Sequence, residues 1–201
     1  MSALIAILLT VSAVQPEIEP APNIGDAGII LLEAVPALFL SVFIHESGHA
    51  LSGLAMGMEI DRFQPHITQC AGKWAWGCTS VRKRRISLHE KIVFSGSGML
   101  GTRLFSEGVD LALNNIPMHP RLKQAGAVLY FITRLESTGY VLLCSITKCG
   151  EASDPRIIAD SLSRNNDAKQ WIYVGMAAVM ILDFILDWDE ITNNWNRLWV
   201  M

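Results

Sequence analysis

The sequence predicts an all-α membrane protein, a polytopic bundle of about four spans with one small β-hairpin loop after the first core helix. Hydrophobic residues make up 51% of the 201 residues. Charged residues make up only 17%, below the roughly 25% of ordinary soluble domains. The apolar residues also gather into runs that approach the roughly 20 residues a membrane helix needs. These three observations favour a bundle in a lipid bilayer.

Residues 1–26 are predicted to be separate from a membrane-embedded domain at residues 27–201. Residues 2–14 are apolar but too short to span a bilayer, and they resemble the core of a signal peptide. Val11, Ser12 and Ala13 would suit a cleavage site, whereas the expected N-terminal Lys or Arg is missing, so cleavage stays open. Proline and acidic residues follow, which predicts an extended, exposed linker.

Four apolar stretches are the predicted spans: residues 37–56, 88–113, 125–146 and 171–188. Pro36 is expected to kink the first apolar run or to mark its effective start. The small residues at 95–98 would let two helices approach closely. Residues 59–80 contain prolines, glycines and two tryptophans, which predicts a small β-hairpin or a re-entrant loop.

Charged residues interrupt the second and third spans: Arg103, Glu107, Arg134 and Glu136. Such residues are costly in lipid, so they are expected to face the bundle interior and to be paired there. Arg103 and Glu107 are four residues apart, which places them on one helical face. The alternative is a soluble protein with amphipathic helices.

The run of basic residues at 82–85 lies between the first two predicted spans. Lys and Arg are enriched in cytosolic loops, so this loop is predicted to be cytosolic, with His45 and His49 toward the same side. The net charge of −3 and the shortness of this basic run give no indication of a nucleic-acid partner.

The four cysteines are Cys70, Cys78, Cys144 and Cys149. None forms a CxxC pair, which argues against a structural zinc knuckle. Reduced thiols are expected if the loop is cytosolic. A bridge between Cys70 and Cys78 is the alternative if the loop faces an oxidising space.

Residues 45–49 read His-Glu-Ser-Gly-His, an HExxH pattern within the first apolar run. Positions four apart share a helical face, so His45 and His49 can bind one zinc ion. Glu46 is then placed to take a proton from a zinc-bound water, whose pKa falls toward about 7. Two histidines and a glutamate are expensive in an apolar helix, which favours a metal site over a buried hydrogen-bonded pair.

A catalytic zinc ion usually has three protein ligands, so one is missing from this motif. Asp183 stands in an otherwise apolar span, which makes it a strong candidate, although it could instead pair with another helix. The full set of candidates is Asp154, Asp160, Asp183, Glu151, His66 and His89. As lone histidines, His66 and His89 are more typical of the surface.

Residues 43–65, FIHESGHALSGLAMGMEIDRFQP, resemble the first core helix of site-2 proteases, which are intramembrane zinc metalloproteases. An apolar pair precedes HExxH, a glycine follows the helix, and a β-rich loop comes next. Residues 153–158, SDPRII, resemble the segment that supplies the third ligand in that family, with Pro155 replacing a glycine. The resemblance implies Asp154 as the third ligand.

The resemblance implies an intramembrane zinc protease that cuts a membrane protein substrate, with the loop at 59–80 presenting the substrate as an added strand. Residues 95–103, SGSGMLGTR, stand where the family has a Gly-Pro…Asn segment, and they lack the proline and the asparagine. A non-proteolytic membrane protein of the same fold, binding metal or a partner, is therefore the alternative. A soluble or secreted zinc protease is a third possible interpretation.

Overall fold

The computed structural model describes residues 24–70, 72–83, 85–147, 150 and 153–199. The predicted signal-like segment lies outside these residues. The described chain is mostly helical, with four short strands after the first helix, so the predicted class is confirmed at this level. In chain order the helices are α1 Ile24–Ala55, α2 Leu88–Asn115, α3 Pro120–Ile146, α4 Asp154–Leu162, α5 Asn166–Leu186 and α6 Trp188–Arg197.

Helix α1 is the longest element, with 32 residues, and it continues through Pro36. It begins inside the predicted linker, where Asp26 is buried with an exposed fraction of 2%. Gly57, just beyond the end of α1, has φ +69. Glycine adopts this left-handed conformation without a steric penalty and commonly ends helices. The HExxH segment thus lies in the second half of one unbroken helix.

The strands form two antiparallel ladders in the region predicted to hold a hairpin. Strand β1 Glu59–Gln64 pairs with β4 Cys78–Arg82, and β2 Thr68–Cys70 pairs with β3 Lys73–Ala75. Gly72 lies between β2 and β3 with φ +78, which favours glycine in this tight turn. The β2–β3 hairpin therefore extends from the β1–β4 ladder, and the predicted β-hairpin is confirmed.

Helices α1, α2 and α3 pack against one another, α4 contacts α2 and α3, and α5 packs on α3 and α4. Two clusters of buried apolar side chains hold the bundle together. One buried cluster joins α1 to α3 and the C-terminal residues: Ala37, Ala127, Val128 and Leu198. The other joins α2, α3, α4 and α5: Met99, Val141, Ile158 and Ala177.

Three helices of the described chain, α1, α3 and α5, are long and apolar enough to cross a membrane. Large apolar side chains project outward from α1 and α5, with Leu32 75% exposed and Leu186 74% exposed. Soluble proteins rarely show such extensive apolar surface, so these faces are consistent with association with lipid. Helix α2, predicted as the second span, has 28 residues but is not among these three.

The charged residues of the apolar helices pair inside the bundle, as predicted. Arg103 Nε and Arg134 Nη2 each lie 3.0 Å from Asp183 Oδ2, and both guanidinium groups also contact Asp187. Glu107 contacts Arg103 and lies 3.3 Å from Arg134. Arg134 is fully buried. We call these five residues the ionic network.

Candidate metal centre

His45 and His49 lie one turn apart on α1, with their ring centroids 4.9 Å apart. Their Nε2 atoms are 2.9 and 3.2 Å from the same oxygen, Oδ2 of Asp154. Both histidines are buried, and the Asp154 side chain is 12% exposed. One ligand atom from each residue lies within 4.8 Å of the others, so the group could hold a metal ion. We call these three residues the metal-binding group.

Asp154 is the first residue of α4, a short helix that ends the loop after α3. Ser153 caps the helix in an extended conformation and Pro155 occupies its first turn, where the fixed φ of proline suits a helix. Burial raises the pKa of Asp154, but hydrogen bonds with His45 and His49 outweigh burial and hold the pKa at about 2. The contacts with the two histidines therefore favour the carboxylate form of Asp154.

A glycine on α2 leaves room beside the two imidazoles. A Cβ atom added at Gly98 would lie 2.5 Å from His45 Nε2 and 2.6 Å from His49 Nε2. Zinc–nitrogen bonds are about 2.0–2.1 Å long, so this space has the scale of a metal ion rather than of a side chain. The donor set and the space therefore both fit a bound ion.

Glycine also allows α1 and α2 to approach at this level, as the small residues at 95–98 predicted. A Cβ atom at Gly48 would lie 2.3 Å from the carbonyl oxygen of Ser97. That distance is far below ordinary contact, so only glycine fits between the two backbones. The same close approach brings Gly98 beside the histidines.

The second nitrogen of each imidazole faces an acceptor. His49 Nδ1 lies 2.6 Å from the carbonyl oxygen of Phe94, on α2. His45 Nδ1 lies 3.1 Å from Glu136 Oε1, on α3. Acceptors at Nδ1 favour the tautomer that leaves Nε2 free to bind a metal. Both rings are thus oriented with Nε2 toward Asp154.

Glu46 lies beside the metal-binding group and is 7% exposed. Among the described residues, its buried Oε2 has no hydrogen-bond partner. A Cβ atom at Gly77 would lie 2.4 Å from Glu46 Oε1, so a second glycine leaves room for this carboxylate. Buried polar atoms are rarely left unpaired, so this oxygen is a candidate for contact with a ligand.

A cavity of about 560 Å³ connects these residues to the surface. Helices α1, α3 and α4 form one side of it, and the β2–β3 hairpin with Trp74 and Trp76 forms the other. His45, Glu46, His49 and Asp154 all line it. The cavity is large enough for part of an extended peptide beside the metal-binding group.

The prediction of four reduced thiols is wrong. Cys70 and Cys78 form a disulfide, and Cys144 is also disulfide-bonded. The end of β2 and the start of β4 bring the Cα atoms of Cys70 and Cys78 to 5.6 Å, within the usual range for a disulfide. Cys149 lies outside the described residues. The bridge ties the hairpin that walls the cavity.

The structure places the remaining ligand candidates elsewhere. Asp183 belongs to the ionic network, and Asp160 pairs with Arg156 and Lys169. His66 and His89 are exposed. Glu151 lies outside the described residues. Among the candidates that lie in the described residues, Asp154 alone meets both histidines, as the resemblance implies.

Sequence reasoning missed Glu136 as a neighbour of His45, and it missed the space at Gly98 and Gly77. A glutamate in an apolar span was a signal that Glu136 needs a partner, but the partner lies 91 residues away on another helix.

The resemblance to site-2 proteases rests on short segments around His45 and Asp154. Comparisons of the chain with protein-family models, with curated proteins and with solved structures gave no match.

Proposed function

We propose that the chain is a zinc-dependent endopeptidase of the membrane, which hydrolyses a peptide bond in or near a membrane-spanning segment of a protein substrate. The observation that supports this most directly is the convergence of His45, His49 and Asp154 beside Glu46. Two imidazoles and one carboxylate are a common ligand set of catalytic zinc, with one position left for water or substrate.

The charges of the site favour a divalent cation. Three carboxylates, Glu46, Glu136 and Asp154, surround two imidazoles, and Lys73 on the hairpin is the cation among the residues lining the cavity. Buried carboxylates need neutralising partners, and a doubly charged ion in the metal-binding group would supply one. Zinc is preferred over magnesium or calcium because imidazole nitrogen is a poor ligand for the latter two.

Zinc held by His45, His49 and Asp154 would supply a Lewis acid. Glu46 would accept a proton from the attacking water as the oxygen of that water bonds to the substrate carbonyl carbon. The carbon–nitrogen bond breaks, and Glu46 delivers the proton to the leaving amine nitrogen. The unpaired Oε2 of Glu46 and its place in the cavity support this role.

The substrate would reach the cavity along the β2–β3 hairpin, since an extended peptide can add to a strand edge.

We further propose that α2 crosses the bilayer with α1, α3 and α5, giving four spans. The close contact of α2 with α1 and α3 supports this, because its charged residues are paired inside the bundle.

The side of the membrane that the cavity faces is a separate proposal. Arg82, Lys83 and Arg85, from the basic run, favour the cytosol. The disulfide between Cys70 and Cys78 favours an oxidising compartment. Labelling cells that carry Cys78→Ser with a membrane-impermeant thiol reagent would decide, because the half-buried Cys70 would react from outside only if the loop is non-cytosolic.

The test of the proposed activity is Glu46→Gln in the full chain, co-expressed with candidate membrane protein substrates. We expect zinc content to stay at the wild-type level and cleavage to fall by about 10²–10⁴-fold, the usual contribution of a general base. Glu107→Gln is the matched control because Glu107 belongs to the ionic network. Cleavage by Glu46→Gln at the wild-type rate would refute the proposal.

A second candidate function is a non-proteolytic membrane protein that binds metal or a partner helix. The segment 95–103 favours it, because the asparagine expected by resemblance is missing there. Stoichiometric zinc in the purified chain, together with no cleavage of any membrane substrate by wild type or Glu46→Gln, would support this candidate.

A further inference from the structure

The two nitrogens of the His45 ring face different carboxylates. Nε2 lies 2.9 Å from Asp154 Oδ2, on the side of the metal-binding group. Nδ1 lies 3.1 Å from Glu136 Oε1. Since the two nitrogens are on different edges of the ring, Glu136 stands behind the ligand and not among the ligands.

A serine holds the other oxygen of Glu136. Ser41 Oγ donates a hydrogen bond to Glu136 Oε2 at 2.7 Å, and Ser41 is fully buried. Ser41 and His45 are four residues apart on α1, so they share the face that meets α3. A chain of polar contacts therefore runs from Ser41 through Glu136 to His45.

We propose that Glu136 is a positioning residue that holds His45 with its proton on Nδ1 and with Nε2 free to bind the metal, while Ser41 fixes the carboxylate. This inference rests on the proposed metal site. Carboxylates that accept from a ligating histidine fix its tautomer and orientation and raise its basicity as a ligand. A carboxylate in an apolar helix costs free energy, and a role in positioning His45 accounts for the presence of Glu136 there.

The contact between Glu136 and His45 is at ion-pair distance, but its alignment falls short of a hydrogen bond. Hydrogen bonds in sites of this kind often become well aligned only when the ligand is bound. His49 meets the neutral carbonyl of Phe94 in the equivalent place. The two histidines are thus held unequally, and His45 is the ligand supported by a charge.

The test measures zinc affinity of the full chain in detergent by competition with a chelating dye, and the d–d absorption of the cobalt-loaded protein. Glu136→Gln should lower zinc affinity by about 10–100-fold and shift the cobalt bands. Ser41→Ala should act in the same direction and less strongly. Glu107→Gln, a carboxylate of the ionic network, should leave both readings unchanged.

Wild-type zinc affinity and unshifted cobalt bands in Glu136→Gln would overturn the role of Glu136 while leaving the metal site intact. A wild-type chain that binds zinc no better than His45→Ala would overturn both this inference and the proposed function. If Glu136→Gln does not fold, Glu136→Asp is the variant to measure, because the shorter side chain places the carboxylate farther from His45 Nδ1. Unchanged zinc affinity in that variant would also overturn the role.

Discussion

Two polar clusters lie inside this apolar bundle, and they differ in how their charges are balanced. The ionic network pairs Arg103 and Arg134 with Glu107, Asp183 and Asp187. The cluster around the metal-binding group contains three carboxylates and two imidazoles, and Lys73 is the cation among the residues that line its cavity. In the first cluster, two guanidinium groups face three carboxylates. In the second, one lysine accompanies three carboxylates, which leaves more negative charge for a bound cation to balance.

The comparison separates structural charges from functional ones. Paired charges inside a bundle are costly to break but do no chemistry by themselves. A cluster with one lysine beside three carboxylates, which opens to a cavity of about 560 Å³, could hold a cation. Both Asp183 and Asp154 were candidates for the third ligand from the sequence. The structure distinguishes them, because Asp183 belongs to the ionic network and Asp154 to the metal-binding group.

The largest expected effect comes from filling the space beside the two histidines. Gly98→Ala would place a methyl group 2.5 and 2.6 Å from the two Nε2 atoms, so we expect zinc to fall below detection in purified protein. Metal analysis measures this. Gly96→Ala is the matched control, since nothing lies within 4 Å of its added Cβ. Full zinc content in Gly98→Ala would refute the placement of the metal.

Removing one charge of the ionic network should instead affect stability. Arg134→Met leaves Asp183 and Asp187 short of a partner in the bundle, and we expect a loss of about 3–5 kcal/mol in the free energy of unfolding. Denaturation in detergent measures this, with zinc content of the folded fraction unchanged. Arg164→Met, at an exposed position, should change stability by less than about 0.5 kcal/mol. Equal stabilities would show that the network is not structural.

The smallest effect is expected at an exposed ion pair near the start of α5. A hydrogen bond from Lys169 lowers the pKa of Asp160 below its usual value of 3.8. The pair therefore stabilises the fold above about pH 4 and loses its contribution as the pH falls through the lowered pKa. Asp160→Asn should lower Tm slightly at pH 7, and the difference should shrink as the pH falls below about 4. A difference that grows toward low pH would contradict this.

Local patterns predicted much of the fold and half of the site. Span length and hydropathy gave α1, α3 and α5, and the HExxH spacing gave His45 and His49 on one face. Asp154 came from resemblance, because no local rule says which of several acidic residues folds back onto α1. Glu136 and Gly98 depend on how α2 and α3 cross α1, and such long-range packing leaves no periodic signal. The reduced thiols were predicted wrongly because that prediction depended on the compartment of the loop, whereas the strand pairing that brings Cys70 to Cys78 leaves no local signal.

The disulfide between Cys70 and Cys78 helps to keep the hairpin wall of the cavity folded. Strands β2 and β3 have three residues each, and a two-stranded hairpin of that size is marginal in water. A bridge across eight positions removes about 2.5 kcal/mol of loop-closure entropy from the unfolded segment in the chain-entropy account. Reduction would therefore let the hairpin open locally while the helices stay folded. Gly77 lies directly against Glu46. Opening of the hairpin would therefore expose the Glu46 carboxylate to water in a larger fraction of the molecules.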